Sequence, residues 1–154
     1  MAERAVRAEV LSGTEPEGVT FLDHTADFGL EVEAPTLEAC FARVAAGLFA
    51  SFAPEELHDS EGDRTVEFNL EARGLEELLV AWLEELLYEA EGQGLFFHTF
   101  EVDSVEGTRL KARAIGRPPG PEDLIGPPIK GVTRHDLSIR QEDGGWRARV
   151  ILDV

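Results

Sequence analysis

The sequence predicts an α+β fold: a single domain with a largely antiparallel sheet and two helices packed on one of its faces. Three observations predict it. The chain has 154 residues, the length of one domain. Stretches that alternate apolar and polar side chains, the period of a strand with one wet face, recur from residue 28 to residue 152. Two stretches with apolar residues three and four apart interrupt them, and four strand-like stretches come last with no helix between. A parallel sheet needs a crossover between each pair of strands, so this order favours antiparallel pairing.

Taken in order, residues 1–18 read as a flexible lead-in, punctuated by Gly13, Pro16 and Gly18, and residues 19–154 carry the domain. Phe28, Leu30, Val32 and Ala34 alternate with Asp27, Gly29, Glu31 and Glu33 as a first clear strand. Thr36 is the N-cap of the first helix, with Glu38 in its first turn. Leu37, Phe41, Val44, Leu48 and Phe52 form its buried stripe, and Pro54 stops it. Val66, Phe68 and Leu70 alternate next. Gly74 opens the second helix, whose wide apolar face runs from Leu75 to Leu87, and Gly92 and Gly94 end it. Strands follow at Phe96–Val102 and at Arg109–Ala114. Gly116 to Pro128 holds five of the eight prolines, which breaks regular structure. His135, Leu137 and Ile139 share one face of the next strand, and Gly144–Gly145 turns it into the last, where Trp146, Ala148, Val150 and Leu152 alternate with Arg147, Arg149, Ile151 and Asp153.

Composition bounds the function. With 43% hydrophobic and 29% charged residues the chain buries a core rather than staying disordered. Asp and Glu number 31 against 14 Lys and Arg, a net charge of −17 that repels phosphate backbones, so direct, general nucleic-acid binding is not expected. The charge is uneven: residues 1–108 hold 25 acids and 5 bases, whereas residues 109–149 hold 9 bases and 5 acids. Any anion contact is therefore expected in the later segment. The one cysteine, Cys40, makes neither an internal disulfide nor a zinc cluster. No run of about 18 apolar residues is present to span a membrane, and the first residues lack the apolar core of a signal peptide. These features point to the cytoplasm.

Three places carry candidate chemistry. Asp23-His24-Thr25-Ala26-Asp27 puts two carboxylates, an imidazole and a hydroxyl in five residues, either a source of hard oxygen ligands or a turn in which Asp23 and Thr25 cap local backbone. Asp153 and Val154 put a side-chain carboxylate beside the terminal one. Lys130, one of two lysines, follows the proline-rich loop, as a phosphate contact or a solvated side chain. His135, by its parity with Leu137 and Ile139, is expected as a half-buried, hydrogen-bonded group. His98 is expected to be structural, His58 exposed and Cys40 a small core residue. No phosphate-cradling glycine loop, HExxH helix or nucleophile elbow is present, so no residue is assigned as catalytic. A metal-dependent phosphoester hydrolase built on Asp23, His24 and Asp27 is one alternative, and a chaperone-like module for nucleic-acid enzymes is another.

Four blocks, taken together and in this order, resemble the archease family: Phe21-Leu22-Asp23-His24-Thr25-Ala26-Asp27, the helix Leu75–Tyr88, Ile129-Lys130-Gly131-Val132-Thr133-Arg134-His135, and the strand from Trp146 to Val154. The resemblance covers residues 20–154. It implies an accessory protein of the RtcB-type RNA ligase of tRNA splicing and RNA repair. That ligase joins 3′-phosphate or 2′,3′-cyclic-phosphate ends to 5′-hydroxyl ends through a histidine–guanylate. The accessory protein is implied to promote guanylylation and repeated turnover without being an enzyme itself. The resemblance also implies a divalent cation, calcium first with magnesium or manganese as alternatives, held by Asp27, Asp153 and the carboxylate of Val154. Asp23, His24, Lys130 and His135 would then be contacts to the partner or to phosphate. The chain departs from the family pattern at Gly131, Arg134 and Arg117, where alanine, an aromatic residue and an acid are common.

Overall fold

The structure is a computed structural model that describes residues 5–10, 15–23, 27–53, 62–118 and 129–153, with Asp23 and Asp27 described by backbone alone. In chain order the elements are β1 (Val6–Glu9), β2 (Val19–Asp23), β3 (Asp27–Ala34), α1 (Leu37–Ala50), β4 (Arg64–Glu71), α2 (Leu75–Gln93), β5 (Phe96–Glu106), β6 (Arg109–Arg117), β7 (Gly131–Glu142) and β8 (Gly145–Asp153). The class is α+β, and every strand pair among the described residues is antiparallel. The strands divide between two four-stranded sheets, β1-β5-β6-β4 and β2-β3-β8-β7, where one sheet was expected.

The first helix explains the division. Thr36 caps it through its hydroxyl, which accepts from the Ala39 N–H at 3.1 Å. From Ala39 to Phe49 only Arg43 is not buried, so the helix is enclosed rather than laid on a surface. One side meets the first sheet: the Phe49 ring lies 5.4–5.8 Å from those of Phe96, Phe97 and Phe100. The other side meets the second sheet at Gly47, where an added Cβ would sit 2.9 Å from Val19. Small residues at 42, 45, 46 and 47 let both sheets close on the helix. The second helix touches β4 and β6 of the first sheet and β7 of the second. Trp82 is fully buried there and donates to the Phe41 carbonyl at 3.0 Å, joining the two helices. Both helices thus bridge two sheets instead of covering one face of a single sheet. Among the described residues no helix is long and apolar enough to cross a membrane.

Three local expectations change. Residues 6–9, inside the expected lead-in, form β1, which pairs with β5, and Val10 beside it is buried. A four-residue edge strand is too short to announce itself by periodicity. The last hairpin turns on Asp143 and Gly144, with φ of 47° and 78°, one residue earlier than Gly144–Gly145. Two successive left-handed residues match the strand twist of a tight hairpin, and Asp tolerates the first position. His135 is 76% exposed in its side chain, not half-buried. The pairing of β7 with β8 slips between Thr133 and Ser138, and Asp136 takes φ 54°, so the two-residue parity that linked His135 to Leu137 and Ile139 is broken by a bulge. Pro54 and His58 lie outside the described residues.

Candidate functional site

Strand pairing in the second sheet brings the two ends of the folded chain together. β3 begins at Asp27 and β8 ends at Asp153, and these two residues are direct partners in the antiparallel register. On the other side of β8, Asp153 is the partner of Gly131, and the Lys130 N–H donates to the Asp153 carbonyl at 2.7 Å. Asp23, the last residue of β2, pairs with Phe28, one step from Asp27. Three of the regions singled out in the sequence, around residues 23–27, 130 and 153, therefore meet at one end of one sheet. His24 and Val154 lie outside the described residues. His135 does not join the group: it stands in the β7 bulge, its Nε2 3.4 Å from an Asp136 oxygen.

Directly opposed positions in an antiparallel pair share a face, with Cβ atoms about 4.5–5.5 Å apart, and like charges placed there repel. Asp153 is exposed, and among the described residues no arginine or lysine pairs with it. The contrast with the far end of the same two strands is sharp. There Arg147 pairs with Glu31, Glu33 and Glu142, an arrangement that holds its guanidinium charged. Arg43 donates to the Glu33 carbonyl at 2.8 Å and reaches Glu17 at 3.6 Å. Glu17, Glu33, Arg43, Glu142 and Arg147 line a cleft of about 480 Å³ with Trp146, a feature no sequence period announces.

Hard carboxylate oxygens at an exposed strand end suit calcium or magnesium, whereas zinc favours nitrogen and sulfur donors. Among the described residues no cluster of three metal-binding side chains occurs. An oxygen-ligand set built around Asp153 would also draw on the Asp27 side chain and on Val154, which lie outside the described residues.

The remaining candidates are structural. His98 is held between the Thr99 hydroxyl at 2.8 Å and an Asp63 oxygen at 3.1 Å. Cys40 is fully buried, and burial pushes its thiol up to about 12, so it stays protonated at neutral pH. Arg117 is buried. Arg134 grips Glu77 with two bonds of 2.9 Å, fastening the β7 bulge to the first turn of α2. That pairing holds the Glu77 carboxyl below the usual carboxylate range.

Comparison with known proteins places this geometry. The sequence profile of the Archease protein family matches residues 20–154. The archease of Methanopyrus kandleri is 34% identical over 137 residues, covering 86% of this chain and 96% of the relative. That of Pyrococcus abyssi is 36% identical over 137 residues, covering 86% and 95%. A solution structure from Methanobacterium thermoautotrophicum superposes with a TM-score of 0.69 at 32% identity, over 89% of this chain and 99% of that one. A crystal structure from Thermotoga maritima, described as an archease and possible chaperone, shares the fold with a TM-score of 0.60 at 19% identity, over 86% and 94%. The chain belongs to the archease protein family.

Proposed function

We propose that this archease is a non-enzymatic accessory protein of an RtcB-type RNA ligase, and that it promotes guanylylation of the ligase histidine through a divalent cation held by Asp27, Asp153 and the carboxylate of Val154. The observation that carries the reading is the direct pairing of Asp27 with Asp153 at the exposed end of β3 and β8. Two aspartates held as direct register partners by backbone hydrogen bonds are suited to an oxygen-ligand site, and a cation relieves the repulsion expected at opposed like-charged positions. A bound divalent cation supplies charge neutralisation on phosphate oxygens.

The chain's own residues do the rest. The β3–β8–β7 ladder sets residues 27 and 153 at one sheet end, where a partner's cleft can receive them. The Lys130 amide, bonded to the Asp153 carbonyl, fixes the height of β7 against β8 and sets Lys130 beside the pair as a point charge for a phosphate. Asp23, the last residue of β2, and His24, next to it in sequence, are the further partner contacts in this reading, with His135 in the β7 bulge. The net charge of −17 keeps the protein off free RNA, so substrate arrives with the ligase.

The test is the initial rate of ligase guanylylation by GTP with this protein, with Asp27→Ala and with Asp153→Ala. Loss of the cation is expected to lower the stimulated rate on the order of 100-fold, the scale of a metal's several kcal/mol of charge stabilisation. Full stimulation by both variants, or phosphoester turnover by the isolated protein that depends on Asp27, overturns the reading.

A further inference from the structure

The cleft beside Trp146 continues into a second one of about 290 Å³. Glu17 and Arg43 line both, so the two form one groove that runs from the β7–β8 turn to β1. It lies at the far end of the second sheet from Asp153: Arg147, six positions earlier in β8, is about 20 Å away at the rise of an antiparallel strand. Six carboxylates and three guanidiniums line the groove. The guanidiniums are all engaged. Arg7 pairs with Glu9 at 2.9 Å, Arg43 donates to the Glu33 carbonyl at 2.8 Å, and Arg147 pairs with three carboxylates. The surplus charge is negative, and among the described residues Glu15 and Asp143 pair with no cation. A concave surface whose surplus charge has one sign concentrates its field on what enters it.

Two further features say what enters. Trp146 stands half-buried in the wall of the larger cleft, in the company of Glu142 and Asp143. An indole face attracts an ammonium or guanidinium group, and carboxylates accept its N–H donors. The smaller cleft runs along β1, an edge of the first sheet with no strand on its other side among the described residues. The Val10 N–H donates to the His98 carbonyl at 2.8 Å, so residues 6, 8 and 10 turn their backbone groups towards β5. Antiparallel alternation then turns those of Arg7 and Glu9 outward, and both residues line the smaller cleft. A groove with cation-binding walls at one end and open backbone groups at the other suits an extended chain better than a lone amine.

We infer that this groove is a docking site for a basic, extended polypeptide segment of a partner protein, with an arginine or lysine side chain seated against Trp146 between Glu17 and Asp143. The segment lies along β1, and its positive charge answers the surplus carboxylates of the groove. The inference does not rest on the cation reading above, because the groove and the Asp27–Asp153 pair occupy opposite ends of β3 and β8. A partner held here leaves the Asp153 end free.

The experiment titrates the full chain with a blocked tetra-arginine peptide at physiological ionic strength, by calorimetry and by tryptophan fluorescence, with spermine as a parallel probe. Trp82 is fully buried, so a change in emission reports Trp146. Saturable binding with a change in emission is expected, and Trp146→Phe is expected to remove that change. Glu17→Gln/Asp143→Asn is expected to weaken binding about fivefold, the scale of two exposed ion pairs. Asparagine keeps the left-handed turn position of residue 143, at φ 47°. Glu84→Gln/Glu85→Gln removes the same charge from the exposed side of α2 and is expected to change the affinity by less than about twofold. No saturable binding, or binding without a change in emission, overturns the assignment. Equal weakening by the two double variants also overturns it, because the peptide would then be reading net charge alone. Spermine bound as tightly as the peptide overturns the choice of a polypeptide. Asp153→Asn is expected to bind the peptide as the parent does, which keeps the groove in its role even where the cation reading fails; a loss in that variant overturns the placement.

Discussion

Phe49→Ala is expected to lower the free energy of unfolding by about 3–5 kcal/mol, the range for deleting a buried aromatic ring. The ring is fully buried at the C-terminal end of α1, and it touches three rings of β5 as well as Phe52. Its removal costs transfer energy and leaves a cavity that cannot collapse, because α1 is clamped from the other side by Val19 and Leu30 against Gly47. Phe49→Leu keeps most of the volume and should cost clearly less. Urea unfolding measures both; an unchanged slope with a lowered midpoint would show that the native state, not the unfolded chain, carries the effect. A loss below about 1 kcal/mol for the alanine variant would mean that α1 is not the shared layer between the sheets.

Calcium is expected to stabilise the parent protein by about 2.7 kcal/mol at a hundred times its dissociation constant, and Asp153→Asn is expected to abolish that gain. For a domain of this size that is roughly 5–10 °C in Tm. The sign reverses without metal. Asp27 and Asp153 are directly opposed, so neutralising one removes a repulsion of a few tenths of a kcal/mol to about 1 kcal/mol. The asparagine variant should therefore be slightly more stable than the parent in chelator and less stable in calcium. A ligand that only coats a negative surface would instead stabilise both proteins alike. Thermal unfolding of the two proteins with and without calcium gives the crossing or its absence.

Much of the fold can be read from local pattern because local pattern is what sets it. The period of two in Phe28–Ala34 and Trp146–Leu152 fixes which side faces the helices, and the apolar face of Leu75–Leu87 fixes how α2 lies. Thr36 and Gly94 mark helix ends by chemistry that acts within one turn; Gly94 does so at φ 65° as the C-cap of α2. What stays hidden depends on partners far away in sequence. Nothing in β4 indicates that it joins β6 while β3 joins β8. The near absence of polar residues in α1 is the one local sign of burial from both sides. Ile151 has the parity of Arg149 and Asp153 but is buried, because Gly29 opposite it leaves room for the side chain and Leu22 closes over that room. His135 fails for the complementary reason: a bulge inserts residues that alternation cannot count.

The site divides the same way. The polar parity of Asp27 and Asp153 places each on the outer face, and only the register makes them partners. The exposed Arg134–Glu77 pair is equally non-local, linking residues 57 apart.

The most direct measurement is a calorimetric titration of the metal-free protein with calcium, repeated for Asp27→Asn and Asp153→Asn. One saturable site per chain is expected in the parent and none in either variant, with both variants folded by circular dichroism. A saturable site of unchanged affinity in both variants would contradict it.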